Sequence, residues 1–375
     1  VRILSLCNVP LDESLGSGYV ALRYARGLRE RGHHVDAFGP SDYEILPHLT
    51  RAIRYRQTLG MARATLRLLP DGDYDIVELW GGEAWLSIAW LTRVPGRRFL
   101  VVLRSNGLET HCLEKMADAH GEGLPAPSAK WFHRDQIRLL TAGYRRADAL
   151  VTVADFDRRY ALLRHYAPPG RILAVDNPLP DDYLGLPVDF ARPPVIGFCG
   201  SWLPRKGTAL ITTALPLLLR RFPEWRLTLV GVGGAFRAEE HFPADVLSRI
   251  TVVPFAVRST ELRALYQSFA VLILPSLYES FGLAASEAMA CGAALVATPV
   301  GFAAGLSDPE EAFLLPEPSP AALLQTLERV CGDEALRRAV AQGGYQRVQT
   351  LRWDAAVDAV EAAYRRWLRE IRNEV

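Results

Sequence analysis

Lysine, cysteine and long apolar runs are all scarce in this chain. Three of its 43 basic residues are lysine (Lys115, Lys130, Lys206) and the rest are arginine. That bias suits a genome rich in arginine codons, and it makes Lys206, just before a glycine, stand out. The five cysteines (Cys7, Cys112, Cys199, Cys291, Cys331) are scattered and never form a C-x-x-C pair. This argues against a disulfide framework or a structural zinc site and for a reducing, cytoplasmic setting. No apolar run reaches the roughly 18 residues of a membrane span. Residues 1–7 read straight into a strand rather than as a signal peptide. A net charge of +1 gives no global attraction to nucleic acid. Internal repeats and low-complexity stretches are absent.

What is present points to two α/β halves. A length of 375 residues is long for one core and suits two domains. Strands are predicted at residues 3–7, 35–38, 76–79, 99–103 and 149–153, with helices at 20–31, 84–91 and 131–146. The stretch 177–194 breaks the alternation with Pro178, Pro180, Pro187, Pro193 and Pro194, and reads as an interdomain linker. Strands then recur at 195–199, 227–230, 250–253, 271–274 and 294–297, with helices at 208–221, 260–268 and 284–291 and a helical tail from 320. Short strand–helix units of this kind imply parallel sheets covered on both faces.

The most informative segment follows the apolar run at 271–275. Glu279-Ser280-Phe281-Gly282-Leu283 leads into a helix that carries Glu287. Backbone N–H groups at a helix N-terminus near Gly282 suit a phosphate, and a carboxylate can grip two vicinal hydroxyls. An acidic residue near the positive end of an ordinary helix start is the plainer reading of this segment taken alone. Upstream, Gly200-Ser201-Trp202-Leu203-Pro204-Arg205-Lys206-Gly207 places two cations between a strand and a helix, where they would neutralise a leaving diphosphate or form a solvated loop.

The Glu-x7-Glu spacing in this wording resembles the retaining glycosyltransferases of family 4, group 1. The resemblance implies an α/β GT-B fold, with two Rossmann-like doubly wound parallel-sheet domains facing each other across a cleft. The acceptor-side domain would span 1–180 and the nucleotide-sugar domain 190–354, with a terminal helix at about 355–375 packing back on the first. It further implies a cytoplasmic enzyme moving a sugar from a nucleotide-sugar to a hydroxyl acceptor, with no cofactor and no metal. Glu279 would lie beside the transferred sugar and Glu287 on the ribose. The N–H groups near Phe281, Gly282 and Leu283 would meet the diphosphate, with Arg205 and Lys206 stabilising it. Relatives carry arginine directly after the strand glycine; here it is Ser201, so either Arg205 substitutes or phosphate binding weakens. Gly231, in Val230-Gly231-Val232-Gly233, resembles the turn flooring the nucleotide site. Pro254, within 252–256, resembles the segment that reads the base.

In the first half, Gly16-Ser17-Gly18 precedes a helix and either approaches the diphosphate or forms a turn capped by Ser17. Many relatives have histidine before Gly-Leu-Glu, against the sugar; this chain has Asn106, which hydrogen-bonds but cannot titrate. His111 reads as a surface-loop histidine. Trp80 and Gly81, with Gly82 and Glu83, are candidates for the acceptor side, as are Trp131 and His133, although tryptophan is more often core. The basic segment 49–69 favours a solvated helix face over an anionic membrane or acceptor; peripheral membrane contact is compatible with it and not required. Two Asp-x-Asp triplets occur: Asp71/Asp73 precede a strand, and Asp155/Asp157 open a helix as cap and dipole partners. The alternatives to a transferase are a GT-B nucleotide-sugar epimerase, disfavoured by Asn106, and a degenerate non-catalytic binding subunit, disfavoured by the intact Glu279, Lys206 and Glu287.

Overall fold

The structure, a computed structural model, describes residues 1–13, 16–49, 52–121, 133–255 and 259–373. The chain divides into two compact units. One comprises Val1–Leu113, Ser128–Asn177 and Trp353–Val375, the other Glu114–Pro127 and Pro178–Arg352. The proline-rich stretch read as a linker therefore begins the second unit at Pro178.

Each unit is built on one six-stranded parallel sheet. In the first, β1 (Arg2–Leu6), β2 (His34–Phe38), β3 (Ile76–Trp80), β4 (Leu100–Arg104), β5 (Ala149–Thr152) and β6 (Ile172–Ala174) lie in the order β2-β1-β3-β4-β5-β6. In the second, β7 (Val195–Cys199), β8 (Arg226–Val230), β9 (Ile250–Val253), β10 (Val271–Leu274), β11 (Ala294–Ala297) and β12 (Phe313–Leu314) take the order β12-β11-β10-β7-β8-β9. The strand order reverses between β1 and β3 in one sheet and between β7 and β10 in the other. Ligands of open α/β sheets bind outside the carboxyl ends of the strands at such reversals.

The sequence did not reveal β6 and β12. Both are edge strands of three and two residues, too short to leave an apolar run. The first helix begins at Gly16 rather than at 20, so Gly16, Ser17 and Gly18 form its first turn and not a loop ahead of it.

Alternating side chains split each sheet's apolar residues between two helical layers. In the first unit Ile3, Ile76, Trp80 and Val102 pack under helix Gly16–Glu30 and the terminal helix Trp353–Asn373. Leu4, Val77, Leu79 and Val101 face helices Ile53–Gly72, Trp85–Leu91 and His133–Arg146. In the second unit Ile196, Phe198, Leu227 and Leu229 pack against Leu210, Leu218, Leu323 and Leu327.

One polar cluster sits inside the first layer. Glu78 of β3 accepts hydrogen bonds from Ser5 (2.7 Å), Trp80 Nε1 (2.7 Å), Arg104 (3.3 Å) and the Tyr364 hydroxyl. The Arg104 guanidinium lies 3.6 Å from the Tyr24 ring centroid and 4.6 Å from that of Trp80. Burial alone would lower the pKa of Arg104; the Glu78 carboxylate and the Tyr364 and Tyr24 hydroxyls outweigh it and hold the pKa above its ordinary value. Tyr364 thereby ties the terminal helix to the sheet. Glu78→Ala should leave Arg104 charged, buried and unpaired, at a cost of about 3–5 kcal/mol. Urea unfolding should show the loss, and an unshifted midpoint would mean that water or another carboxylate replaces Glu78.

Candidate functional site

The second unit assembles its chemistry at the β7/β10 reversal. After β7 the chain passes Gly200 and Ser201 into a short 3-10 turn at Pro204–Lys206, then Gly207 and helix Thr208–Arg221. After β10 it passes Pro275 to Gly282 and enters helix Leu283–Ala290. The two loops are stitched together: Leu277 N–H donates to the Arg205 carbonyl at 2.8 Å. Gly207 makes this approach feasible. Its φ is +72°, and a Cβ there would lie 1.9 Å from the Pro275 carbonyl oxygen.

The outcome is a charged cluster on Glu279, which is nearly buried. Lys206 Nζ donates to Glu279 Oε1 at 2.6 Å, and Ser276 Oγ donates to the same oxygen at 2.7 Å. Arg205 approaches Oε2 at 3.9 Å, an ion pair beyond hydrogen-bond range. Oε2 thus has acceptor capacity to spare among the described residues. Ser276 is held in turn by Thr298, whose hydroxyl donates to the Ser276 carbonyl.

Glu287 lies one to two turns into the helix after Gly282. Its carboxylate accepts from the Tyr266 hydroxyl at 3.1 Å, and that hydroxyl also approaches Cys199 Sγ at 3.3 Å. Burial pushes the Glu287 carboxyl up to about 7; the Tyr266 hydrogen bond works against this and the charge of Asp182 adds to it. Gly282 caps the helix in a left-handed conformation and its carbonyl accepts from Ala285 N–H at 2.9 Å, so the N–H groups of Leu283 and Ala284 are the ones that precede the intrahelical ladder. Phe281 is core, 5.1 Å from Phe302 between ring centroids, and its carbonyl accepts from Phe302 N–H at 2.8 Å, so its own N–H is the group left to meet a ligand. Ser201 is exposed. Gly231 N–H donates to the Val253 carbonyl and Gly233 N–H to that of Pro254, closing the turn after β8 onto the end of β9. Of the segment 252–256, Ala256 lies outside the described residues.

In the first unit the reversal between β1 and β3 is bridged by a hydrogen bond from Asn8 Nδ2 to Glu83 at 2.9 Å. Gly81 sits directly against Asn8, with no room for a Cβ. Gly18 backs onto the carbonyls of Pro10 and Asp12. Asn106 follows β4, and its buried Nδ2 has no partner among the described residues, a donor left open where a sugar contact was expected. Glu109 accepts from Gly82 N–H (3.0 Å) and from the Tyr144 hydroxyl. Burial and the charge of Glu83 raise its pKa.

Three expectations are corrected here. Trp80 is fully buried and spends its N–H on Glu78 and Ser5, so it cannot stack on an acceptor. His111 is not on a surface loop: it is buried, 2.8 Å from Asp157 Oδ1 and stacked on Tyr160. Asp157 is not a cap either, for it holds His111 and the Leu108 N–H, while Ala154 is the N-cap and Asp155 pairs with Arg158 and Arg159. Trp131 and the His133 side chain lie outside the described residues. Among the described residues, no three His, Cys, Asp or Glu side chains are grouped to hold a metal ion.

Residues 193–333 match the profile of the glycosyl transferases group 1, and residues 16–178 that of the glycosyl transferase 4-like domain. A D-inositol 3-phosphate glycosyltransferase of Kineococcus radiotolerans is 30% identical over 344 residues, 82% of this chain and 75% of that relative. The chain belongs to the group 1 glycosyltransferases of family 4. The like-named protein of Nocardiopsis dassonvillei is 29% identical over 97% of this chain and 94% of its own length. The fold is GT-B. Sucrose-phosphate synthase of Thermosynechococcus elongatus superposes with a TM-score of 0.74 at 21% identity, over 98% of this chain and 99% of that one. Anabaena HepE in complex with UDP-glucose gives 0.67 at 15% identity, over 96% and 99%.

Sequence reasoning about this glycosyltransferase missed Ser276, Tyr266, Asn8 and Gly301. Only Gly301 left a signal, as a glycine just past a buried strand and Val300. Its φ is +59°, and a Cβ would lie 2.5 Å from the Phe281 carbonyl oxygen and 3.0 Å from Glu279 Cβ. Gly301→Ala should therefore displace Glu279, costing about 1–3 kcal/mol of stability and most of the transfer rate. Gly305→Ala, at a position with nothing within 4 Å, is the control. Thermal unfolding and transfer assays on the two variants compare them directly, and equal behaviour would refute the crowding argument.

Proposed function

We propose that the chain is a retaining, metal-independent transferase that moves a sugar from a nucleotide-sugar to a hydroxyl acceptor. The observation that carries this reading is the Lys206–Glu279–Ser276 cluster at the carboxyl ends of β7 and β10. The UDP-glucose in the HepE complex supports a nucleotide-sugar donor.

In this reading Lys206 and Arg205 offset the charge that builds on the departing diphosphate, and the N-terminus of helix Leu283–Ala290 adds its dipole. The open Oε2 of Glu279 accepts a hydroxyl of the transferred sugar. Glu287 accepts the ribose hydroxyls. The bond between the anomeric carbon and the phosphate oxygen breaks as the acceptor oxygen bonds to the same face of that carbon. The acceptor's proton passes to the leaving phosphate oxygen, so no enzyme nucleophile is consumed. The setting is cytoplasmic, in keeping with five scattered cysteines and no C-x-x-C pair.

The reading is tested by incubating the protein with a panel of nucleotide-sugars and determining the anomeric configuration of the product by NMR. Inversion, or C2 isomerisation without transfer, would replace it. Lys206→Ala should slow transfer ~100–1000-fold, the range for one preorganised electrostatic contact. Excess chelator should leave the wild-type rate unchanged; activity lost to chelator and restored by magnesium or manganese would rule out metal independence.

Glu287 supplies a pH test. Burial raises its carboxyl to about 7 in the folded protein, and the carboxylate accepts from two ribose hydroxyls more strongly than the acid, which carries an O–H donor of its own. Below that pH, binding must first expel a proton, so donor affinity should fall as pH drops from 8 to 5.5, approaching about tenfold per unit well below the pKa. The donor's diphosphate diester keeps its charge across this range. Calorimetric titration should show the slope in the wild type and a nearly flat profile in Glu287→Gln. Identical profiles would remove Glu287 from the ribose.

A further inference from the structure

The helix Ile53–Gly72 carries two apolar stripes, and only one of them is buried. Met61 and Ala64 face the core together with Thr58 and Thr65. Tyr55, Leu59, Ala62 and Leu66 recur at i, i+4, i+7 and i+11, the spacing of a single helix face. Tyr55, Leu59 and Leu66 are 40%, 51% and 47% exposed. The segment leading into the helix adds Leu46 and Leu49, and Ile53 opens the helix itself, all three exposed. Half of the exposed large apolar side chains among the described residues thus fall within residues 46–66. Scattered single exposures need no explanation, but a concentration of this kind does.

The charge on this face has one sign. No Asp or Glu occurs between Glu44 and Asp71. Arg56 is buried and neutralised by Glu44. Arg54, Arg63 and Arg67 are exposed and have no ion-pair partner among the described residues. Arg63 and Arg67 lie along one flank of the stripe. No helix of the described residues is long and apolar enough to cross a membrane.

We infer that helix Ile53–Gly72 lies on an anionic lipid bilayer, with Leu59 and Leu66 entering the acyl boundary and Arg63 and Arg67 on the headgroup phosphates. An apolar stripe edged by arginines, with a tyrosine near its end, is the layout of an interfacial helix. A long arginine can lay its stem along the apolar surface while its guanidinium reaches the phosphate. A second copy of the chain fits less well. A two-fold contact through this stripe would bring arginines toward arginines with no carboxylate on the stripe to meet them.

The placement has a consequence for the acceptor. Arg54, Tyr55 and Thr58 also line a shallow pocket closed by Glu83, Trp85 and Leu140, at the end of β3. On the transferase reading this pocket would open beside the lipid surface and serve an acceptor carried there. The docking itself does not depend on that reading, because it is scored without any transfer reaction.

The test is flotation of the full chain with vesicles of phosphatidylcholine, alone or mixed with phosphatidylglycerol. Binding to the mixed vesicles should be more than ~10-fold tighter than to the neutral ones and should weaken with added salt. Leu59→Asp/Leu66→Asp and Arg63→Glu/Arg67→Glu should each lose more than ~10-fold. All four side chains are exposed, so melting temperature and donor binding should match the wild type and separate lost docking from lost fold. Equal partition onto neutral and anionic vesicles, or unchanged binding in both variants, would overturn the proposal. So would a dimer, seen by sedimentation without vesicles and abolished by Leu59→Asp/Leu66→Asp, if vesicles fail to bind; the stripe would then belong to a second copy.

Discussion

A carboxylate nearly sealed from water needs a cation within reach, and Glu279 imposes that condition on everything near it. Lys206 meets it at 2.6 Å. For Lys206 to be there, the loop after β7 must fold against the loop after β10, and Gly207 permits the contact by having no Cβ to strike the Pro275 carbonyl. For Glu279 to stay there, the chain after β11 must close over it, and Gly301 leaves the space. The strand order makes both demands local, because β7 and β10 are neighbours at the reversal although more than 70 residues separate Lys206 from Glu279.

The two units use the same ion-pair chemistry to opposite ends. Glu78 has four donors on its two oxygens, and its arginine is packed against two aromatic rings. Nothing remains for a ligand, and the group serves to fasten the terminal helix. Glu279 has two donors on one oxygen and a cation 3.9 Å from the other. A cluster that is incompletely satisfied at a strand end is available for chemistry, whereas one completely satisfied in mid-sheet is architecture.

Much of this was legible in sequence. The continuous apolar strands and the Glu-x7-Glu wording placed five strands of each sheet and the loop after β10, because those signals are local. What escaped depends on partners distant in the chain. Nothing near Ser276 or Tyr266 says that a hydroxyl there will reach Glu279 or Glu287. Trp80 was misplaced on the acceptor side through its neighbours Gly81 and Gly82, although strand alternation already put it on the face of Ile76 and Glu78. His111 looked like a loop residue until its helix and the Asp157 carboxylate came together. The exposed stripe on helix Ile53–Gly72 was hidden for another reason. Two apolar faces on one helix blur its periodicity, and only burial tells which face the core takes.

The Lys206–Glu279 pair also bears on the proposed chemistry. A diphosphate brought near Lys206 competes with Glu279 for its three N–H donors, and an ammonium can serve both anions at once only by turning some donors outward. Glu279 keeps Ser276 whichever way Lys206 turns. On the proposed reading the carboxylate would stay oriented while its cation is shared, and the donor's diphosphate would leave it a stronger acceptor for a sugar hydroxyl. On that reading, the pair would link diphosphate binding to sugar positioning through a single ammonium group. An arginine at 206 would place a broad planar fork where a compact ammonium with three rotatable donors fits between the two loops. That constraint gives a physical reason for lysine at this position in a chain that elsewhere uses arginine almost throughout.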